Sequence, residues 1–247
     1  MEIVINPAYE HLRDFIARLP EVFPSQGETI YKSRNEIKVF NVDGLRLNVK
    51  RYHIPSLPNR LVYTFFRPAK VYRAYRYAYR LLEKGFDTPE PVAYLMMRRF
   101  GLVGSSYFVS IQSPYTRNFY EFGRGALQGR EDIAAALGRY TARLHDAGIY
   151  HCDYSPGNIL FDRDAEGKIA LTLVDINRMQ FGAVPLEKGC ANFARLWGKR
   201  EFFRLVAREY AAGRNFDPDW CEGRVMHYRD AFWKKHARRH FISFEMD

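Results

Sequence analysis

The sequence predicts an α+β protein with two lobes, and three features of the 247-residue chain indicate this architecture. The first half contains strand-like segments joined by tight turns, with one long helical segment among them. The second half is mainly helical, but it carries a polar loop that leads into an apolar hairpin. We therefore expect an antiparallel-sheet lobe with one major helix over residues 1–112 and a mainly helical lobe over residues 113–247.

The clearest strands of the first lobe form a hairpin. Residues 35–41 and 45–52 have strand patterns, and Val42-Asp43-Gly44 between them is a strong signal for a tight turn. Lys50 lies near the end of the second strand, where an ammonium group can serve as a point charge for phosphate.

A helix is predicted from about Pro68 to Lys84, before the Gly85–Pro91 stretch that stops it. Helical spacing predicts a core face of Tyr72, Tyr75, Tyr79 and Leu82. It also predicts a basic stripe, either solvated or in contact with anionic glycolipid or bilayer head groups, of Arg73, Arg76, Arg80 and Lys84.

The remaining parts of the first lobe give weaker signals. Residues 11–19 have the spacing of a helix, and residues 53–67 are predicted to form a loop because of Pro55 and Pro58, followed by a short apolar stretch. Strands are expected at 92–97 and 105–111, joined by a turn at Gly101 and Gly104 and leading to a hinge near 112–114. A phosphate-covering loop would fall at Pro24–Tyr31, which offers the single glycine Gly27; an ordinary turn is an equally good interpretation.

The second lobe contains a constellation of two acids and one amide at fixed spacings. A helix at 131–147 leads into a loop with Asp153 and, five residues later, Asn158. The strand pattern at 159–161, a turn and a second strand at 169–174 then deliver Asp175. One carboxylate can accept the proton of an attacking hydroxyl, while the amide and the other carboxylate hold Mg²⁺ on a nucleotide. This set favours a phosphotransferase.

These motifs resemble those of the lipopolysaccharide core kinases, the Kdo/heptose kinases of the protein-kinase-like superfamily. The resemblance runs from about Lys38 to about Phe181 and is most specific at 88–91, at 151–160 and at Asp175-Ile176-Asn177-Arg178. It implies a protein-kinase-like fold and ATP-dependent phosphorylation of a sugar hydroxyl, of Kdo or heptose, on the inner core of lipopolysaccharide.

The same resemblance implies a role for each site residue. Asp153 would be the catalytic base, and Asn158 and Asp175 would bind Mg²⁺ and, with Lys50, the ATP. The chain departs from the kinase pattern at the helix that follows the lysine strand, because no acid occurs from Pro68 to Leu82. The usual ion pair of the strand lysine is then missing, or it is made by Glu36 or Glu83.

Two alternatives to a lipopolysaccharide acceptor stay open. The first is a kinase for another small molecule or a protein; the absence of an Ala-Pro-Glu motif and the Ser155 in place of a lysine speak against a protein acceptor. The second is a non-catalytic, pseudokinase-like nucleotide-binding scaffold, which the missing helix glutamate favours. Two further helices, aromatic and arginine-rich, are predicted at 191–212 and 224–240.

Composition narrows the partners and the compartment. Lys and Arg number 38 against 28 Asp and Glu, which favours anionic partners, and no motif indicates nucleic acid. Three scattered cysteines, Cys152, Cys190 and Cys221, do not form a disulfide framework or a zinc cluster. Without a signal-peptide pattern, we expect a cytoplasmic protein with peripheral contact to the anionic inner face of the inner membrane.

Overall fold

The computed structural model describes residues 1–247, which form two compact units. The first unit comprises Met1–Pro114 together with the short segment Ile176–Arg178. The second comprises Tyr115–Asp175 and Met179–Asp247. The predicted α+β class, with an antiparallel sheet in one unit and mainly helices in the other, is confirmed.

The first unit is built on a six-stranded antiparallel sheet with the order β1-β5-β6-β4-β3-β2. Its strands are β1 (Glu2–Ile5), β2 (Glu28–Lys32), β3 (Glu36–Val42), β4 (Leu45–Tyr52), β5 (Pro91–Arg99) and β6 (Leu102–Ile111). The four predicted strands correspond to β3, β4, β5 and β6. The two strands that were not predicted are the edge strands, and β2 lacks an alternating pattern because all of its residues are exposed.

Two tight turns set the register of the sheet. Asp43 and Gly44 both have left-handed backbone, with φ of 49° and 77°, which is the requirement of the predicted β3–β4 turn. The β5–β6 turn is formed by Phe100 and Gly101, with φ of 53° and 74°. Gly104, which was expected in this turn, lies within β6.

The first unit has four α-helices: α1 (Arg13–Ala17), α2 (Leu19–Val22), α3 (Leu57–Phe65) and α4 (Lys70–Glu83). The helix predicted at 11–19 is divided between a 3₁₀ turn at Pro7–Leu12 and α1. The loop predicted at 53–67 is wrong, because α3 occupies most of it. Pro58 lies in the first turn of α3, where a proline costs no intrahelical hydrogen bond.

The predicted orientation of α4 is wrong in part. Tyr75 is buried as expected, but Tyr72 and Leu82 are exposed, and Arg73 of the predicted basic stripe is buried. The buried face of α4 consists of Val71, Arg73, Ala74, Tyr75, Ala78 and Leu81. The small alanines let the helix approach the sheet closely, so this face is centred on residues that a hydrophobicity pattern weights little.

Two apolar clusters cover opposite faces of the sheet. Leu47 and Val49 of β4 pack in the cluster that contains the N-terminal helical segment, including Leu12 and Ile16. On the other face, Tyr52 packs with the α4 side chains Val71 and Tyr75, and with Tyr94, Met96 and Val103. Alternation along β4 therefore places Lys50 on the same face as Tyr52.

The second unit is mainly helical. Its helices are α5 (Glu131–Asp146), α6 (Leu186–Asn192), α7 (Arg200–Arg214) and α8 (Pro218–Ala237), and its strands are β7 (Arg117–Asn118), β8 (Ile149–His151), β9 (Ile159–Arg163), β10 (Ile169–Leu173) and β11 (Met179–Phe181). The helix predicted at 131–147 and the two strands predicted after Asn158 are confirmed as α5, β9 and β10. The helix predicted at 191–212 is interrupted between Leu196 and Lys199, and the last helix begins earlier than expected, at Pro218.

Helix α5 crosses α7 at very close range. A Cβ added at Gly138 would lie 2.6 Å from the backbone oxygen of Val206, so a larger residue would push the helices apart. This packing fixes the C-terminal end of α5, from which the chain turns at Gly148 into β8 and the polar loop. Among all helices of the chain, none combines the length and the apolar composition needed to span a bilayer.

Candidate active site

The polar loop begins at His151, the last residue of β8, whose side chain is buried. Strand β8 pairs with β11, with His151 opposite Met179, and this pairing holds the start of the loop. Because the Asp153 backbone N–H can only donate, its 3.1 Å hydrogen bond to Nδ1 means that the His151 proton resides on Nε2. Nε2 donates in turn to the backbone oxygen of Val174 at 3.1 Å. Burial lowers the pKa of His151, which favours this neutral form.

A closed ring of hydrogen bonds joins Asp153 and Asn158 to Val174, the residue before Asp175. The Val174 N–H donates to the Asn158 backbone oxygen at 3.0 Å, and the Asn158 side-chain amide donates to the Asp153 backbone oxygen at 2.8 Å. Together with the two bonds of His151, these contacts link Asp153, His151, Val174 and Asn158. The structure therefore brings Asp153, Asn158 and the strand end before Asp175 into one rigid assembly.

Asp175 follows this assembly in an unusual backbone conformation. Its φ of 53° is left-handed, a region that aspartate tolerates better than most residues but that still carries strain. The β9–β10 pairing places Leu173 opposite Ile159, so that Asp175 leaves the hairpin next to the Asn158 end. Carboxylate and amide oxygens, the groups that Asp175 and Asn158 carry, are of the type that Mg²⁺ prefers.

The Asp153 carboxylate pairs with Arg195, which lies in the 3₁₀ turn after α6. The Asp153 side chain is largely shielded, whereas Arg195 is partly exposed. Sequence reasoning did not find Arg195, because it is distant along the chain and no local pattern marks it.

A second chain of hydrogen bonds supports the loop from behind. The Asn192 amide donates to the His151 backbone oxygen at 2.9 Å, and its own oxygen accepts from His145 Nε2 at 3.0 Å. His145 Nδ1 then accepts from the Tyr210 hydroxyl at 2.8 Å, which in turn accepts from Arg214 at 2.7 Å. His145 was expected to be a packed helix residue; it is buried, and it also connects α5 to α6 and α7. Burial lowers its pKa to about 4.

An aromatic cavity of about 210 Å³ opens beside the loop within the second unit. Ser155 and Pro156 of the loop and Arg195 form one side of it. Trp197 stacks on Phe244, with ring centroids 5.0 Å apart, and so fixes the opposite wall. The lining residues further include Tyr120, Phe232, Trp233, His236 and Phe241.

In the first unit, Lys50 is about 9 % exposed, and its Nζ lies 5.4 Å from the centroid of the Tyr52 ring. Glu36, one of the two acids considered as its partner, accepts a hydrogen bond from Arg51 at 2.5 Å. Glu83, the other, is exposed at the end of α4.

Of the two interpretations of Pro24–Tyr31, the ordinary turn agrees with the structure, because residues 23–27 form a turn that leads into β2. β2 begins within this stretch, and a Cβ on Gly27 would lie 2.7 Å from the Phe40 ring, so this glycine serves packing. The β2–β3 connection instead contains Ser33, Arg34 and Asn35, without glycine. With Arg51 and neighbouring residues, it lines a cavity of about 320 Å³.

Comparison with known proteins places these features in context. The model of the lipopolysaccharide kinase (Kdo/WaaP) family matches residues 26–212. The chain is similar to the solved structure of WaaP in complex with acyl carrier protein, with a TM-score of 0.63 and 18% identity over 96% of this chain and 99% of that chain. It is also similar to the Rio2 kinase from Chaetomium thermophilum in an ADP/Mg²⁺-phosphoaspartate complex, with a TM-score of 0.52 and 15% identity over 95% of this chain and 72% of that one. The search of curated proteins gave no match.

Proposed function

Because the chain belongs to the lipopolysaccharide kinase (Kdo/WaaP) family, we propose that it transfers the γ-phosphate of ATP to a sugar hydroxyl, of Kdo or heptose, on the inner core of lipopolysaccharide. The chain is a kinase with a protein-kinase-like fold. The observation that carries the finer proposal is the hydrogen-bonded ring of Asp153, His151, Val174 and Asn158, since phosphoryl transfer depends on positioning and on charge stabilisation.

Asp153 is the proposed base for the acceptor hydroxyl. Its backbone N–H and its carbonyl are both held by the ring, so the direction of its side chain is restricted. Arg195 forms an ion pair with the carboxylate and so orients it within the loop. The acceptor hydroxyl would bind at this carboxylate, whose side chain is partly shielded from solvent.

Asn158 and Asp175 are the proposed ligands for Mg²⁺, and Lys50 is the proposed contact for the ATP phosphates. Bound Mg²⁺ would neutralise charge that develops on the phosphate oxygens. The bond from the Asn158 amide to the Asp153 carbonyl directs the amide oxygen away from that carbonyl. Asp175, with its left-handed backbone, is held in place because both the N–H and the carbonyl of the preceding residue, Val174, are hydrogen-bonded.

The aromatic cavity of the second unit is the proposed site for the acceptor sugar. Aromatic faces such as those of Trp197 and Phe232 offer apolar area for the C–H side of a sugar ring, with a polar edge. Arg195 adds a cation beside them, which suits the acidic groups of the inner core. Ser155, which lies two residues after Asp153, lines this cavity. A sugar bound there would therefore have its hydroxyl groups near the loop that carries the Asp153 carboxylate.

The acceptor is a glycolipid, so we also propose a cytoplasmic location with peripheral contact to an anionic membrane surface, which the charge of +10 favours. A second candidate partner comes from the similar WaaP structure, which was solved with acyl carrier protein. Co-elution of the purified chain with acyl carrier protein in size-exclusion chromatography would support that partner, and separate elution would argue against it.

The test of the proposed function is transfer of labelled γ-phosphate from Mg·ATP to a Kdo-bearing lipid A acceptor. We expect labelled glycolipid with the wild type and a loss of about 10²–10⁴-fold in turnover with Asp153→Ala, while Mg·ATP binding is kept. Glu166→Ala, which removes an exposed acid from the β9–β10 turn, is the matched control and should retain full activity.

Other outcomes separate the alternatives. Substantial turnover in Asp153→Ala would exclude the proposed base. Mg·ATP binding without labelled glycolipid would favour another acceptor, and absence of nucleotide binding would favour a pseudokinase-like scaffold.

A further inference from the structure

Helix α3 in the first unit has no buried residue, although more than half of its side chains are apolar. Its large hydrophobic residues are turned to solvent: Leu57 is 61% exposed and Phe65 is 68% exposed. Leu61 and Val62 are exposed as well. Helices of a folded domain usually bury such residues, whereas α3 packs the partly buried Tyr63 against the apolar cluster of the sheet and leaves these four side chains exposed.

Besides Tyr63, polar contacts hold α3 on the sheet. Arg60 Nε donates to the backbone oxygen of Val103 at 2.8 Å, and Arg60 Nη2 donates to that of Arg99 at 3.1 Å. Thr64, one turn later, accepts from the Val103 N–H at 3.2 Å. Arg60 and Thr64 share the side of the helix that contacts the sheet. Leu57, Leu61, Val62 and Phe65 lie on the adjoining arc, which is exposed to solvent.

Two further aromatic side chains extend this arc. Phe66 directly follows α3 and is 84% exposed, and Phe100 at the tip of the β5–β6 turn is 89% exposed. The bond from Arg60 to the Arg99 carbonyl ties that turn to α3. We name the combined area the α3 surface and define it by Leu57, Leu61, Val62, Phe65, Phe66 and Phe100. A grouped apolar surface of this kind marks an interaction site.

The segment of the chain that contains α3 carries only positive charges. Residues 44–82 contain nine Lys and Arg residues and no Asp or Glu. Exposed Arg67 follows Phe66, and the Arg99 guanidinium lies 5.4 Å from the centroid of the Phe100 ring. Arginines beside exposed aromatic and leucine side chains are typical of helices that lie in a membrane interface.

We propose that the α3 surface docks this kinase on an anionic bilayer, with its apolar side chains in the boundary between head groups and acyl chains. The basic residues would then contact anionic head groups. A second copy of the chain fits the same surface poorly, because a symmetric contact would bring these arginines together. The docking does not depend on the transfer reaction, so its test is separate from that of the proposed function.

The experiment is co-sedimentation of the purified full chain with phosphatidylcholine vesicles that contain or lack phosphatidylglycerol. We expect the wild type to bind the anionic vesicles and to release from them as salt is raised. Leu61→Ser combined with Phe65→Ser should lower the partition coefficient by about tenfold or more, because two interfacial apolar side chains are removed. Ile30→Ser, at a similarly exposed residue of β2 in the same unit, is the matched control and should bind like the wild type.

Two readouts keep the result independent of folding and of the transferase assay. The substituted side chains are exposed, so the thermal unfolding midpoint of the double variant should match that of the wild type. Phe65→Trp should shift its fluorescence to the blue on anionic vesicles, whereas Ile30→Trp should not. Arg67→Glu should weaken binding to anionic vesicles without creating binding to neutral ones.

Three results would overturn the proposal. The first is a wild type that does not bind anionic vesicles, and the second is a double variant that binds them as tightly as the wild type. The third is self-association of the wild type that the double variant abolishes without any vesicle binding, which would make the α3 surface a protein–protein interface.

Discussion

The polar loop of the second unit and the β4–α4 region of the first unit both contain buried polar groups, but they satisfy them in different ways. In the loop, His151 and Asn158 bond to named backbone groups in a closed ring. In the β4–α4 region, the buried cations Lys50 and Arg73 lie among tyrosines, and Arg73 Nε has no hydrogen-bond partner. A closed ring specifies one geometry, whereas aromatic surroundings tolerate several.

The largest expected effect is on Mg²⁺-dependent ATP binding, from a substitution of Asp175, the residue that follows Val174 of the ring. Asp175→Ala removes a proposed Mg²⁺ ligand and should weaken Mg²⁺-dependent ATP binding by roughly 100-fold, measured by titration calorimetry with and without Mg²⁺. Asp164→Ala in the turn of the same hairpin removes an acid from the same element and should leave the affinity unchanged. Equal affinities of Asp175→Ala and the wild type for Mg·ATP would exclude this ligand.

The buried histidine behind the ring predicts a pH dependence of stability. The pKa of His145 is lowered from 6.5 to about 4 by burial, so below pH 6.5 the unfolded chain binds a proton that the folded chain does not. The free energy of unfolding should therefore fall by about 3 kcal/mol between pH 6.5 and pH 4 and stay flat with respect to this group above pH 6.5. Denaturant unfolding at each pH measures the fall, and NMR of the His145 ring checks its source. A ring that titrates near its ordinary pKa in the folded protein would contradict the prediction.

Asn192 connects His145 to the backbone of His151. Substituting it therefore tests whether the hydrogen bonds behind the loop are needed for the geometry of the ring. Asn192→Leu leaves the His145 Nε2–H and the His151 backbone oxygen without their partner. We expect a loss of about 2 kcal/mol in the free energy of unfolding and a lower turnover with a nearly unchanged KM for ATP. Asn59→Leu on the exposed side of α3 is the control, and it should change stability by less than about 0.5 kcal/mol. If Asn192→Leu is as stable and as active as the wild type, the hydrogen bonds of Asn192 are not needed to hold the ring of Asp153, His151, Val174 and Asn158.

The same contrast explains which parts of the molecule could be predicted from the sequence. The spacing of Asp153, Asn158 and Asp175 is local, and the strands after Asn158 have strong apolar patterns, so loop and hairpin were predicted correctly. Arg195 reaches Asp153 across 42 residues, and such pairing depends on tertiary packing that no local pattern encodes. Helix α3 was missed because its apolar face is not the buried one, and its proline suggested a loop.

The predicted buried face of α4 was wrong for a related reason. The same face gives the prediction with the smallest expected effect. Arginine has a long apolar stem, so Arg73 can be buried among tyrosines, although its charge predicts exposure. Burial lowers the pKa of Arg73, which indicates that the charge is poorly compensated. Arg73→Met should therefore keep or raise the free energy of unfolding, by about 1 kcal/mol, and leave Mg·ATP affinity unchanged.

Lys50→Met is the matched change at the other buried cation of this region. It should weaken Mg·ATP binding by about tenfold, because its ammonium is the proposed contact for the phosphates. Parallel unfolding and calorimetric titrations of the two variants decide between the roles. If Arg73→Met instead destabilises the unit and weakens nucleotide binding as Lys50→Met does, the two cations act together. The β4–α4 region would then be as closely specified as the loop.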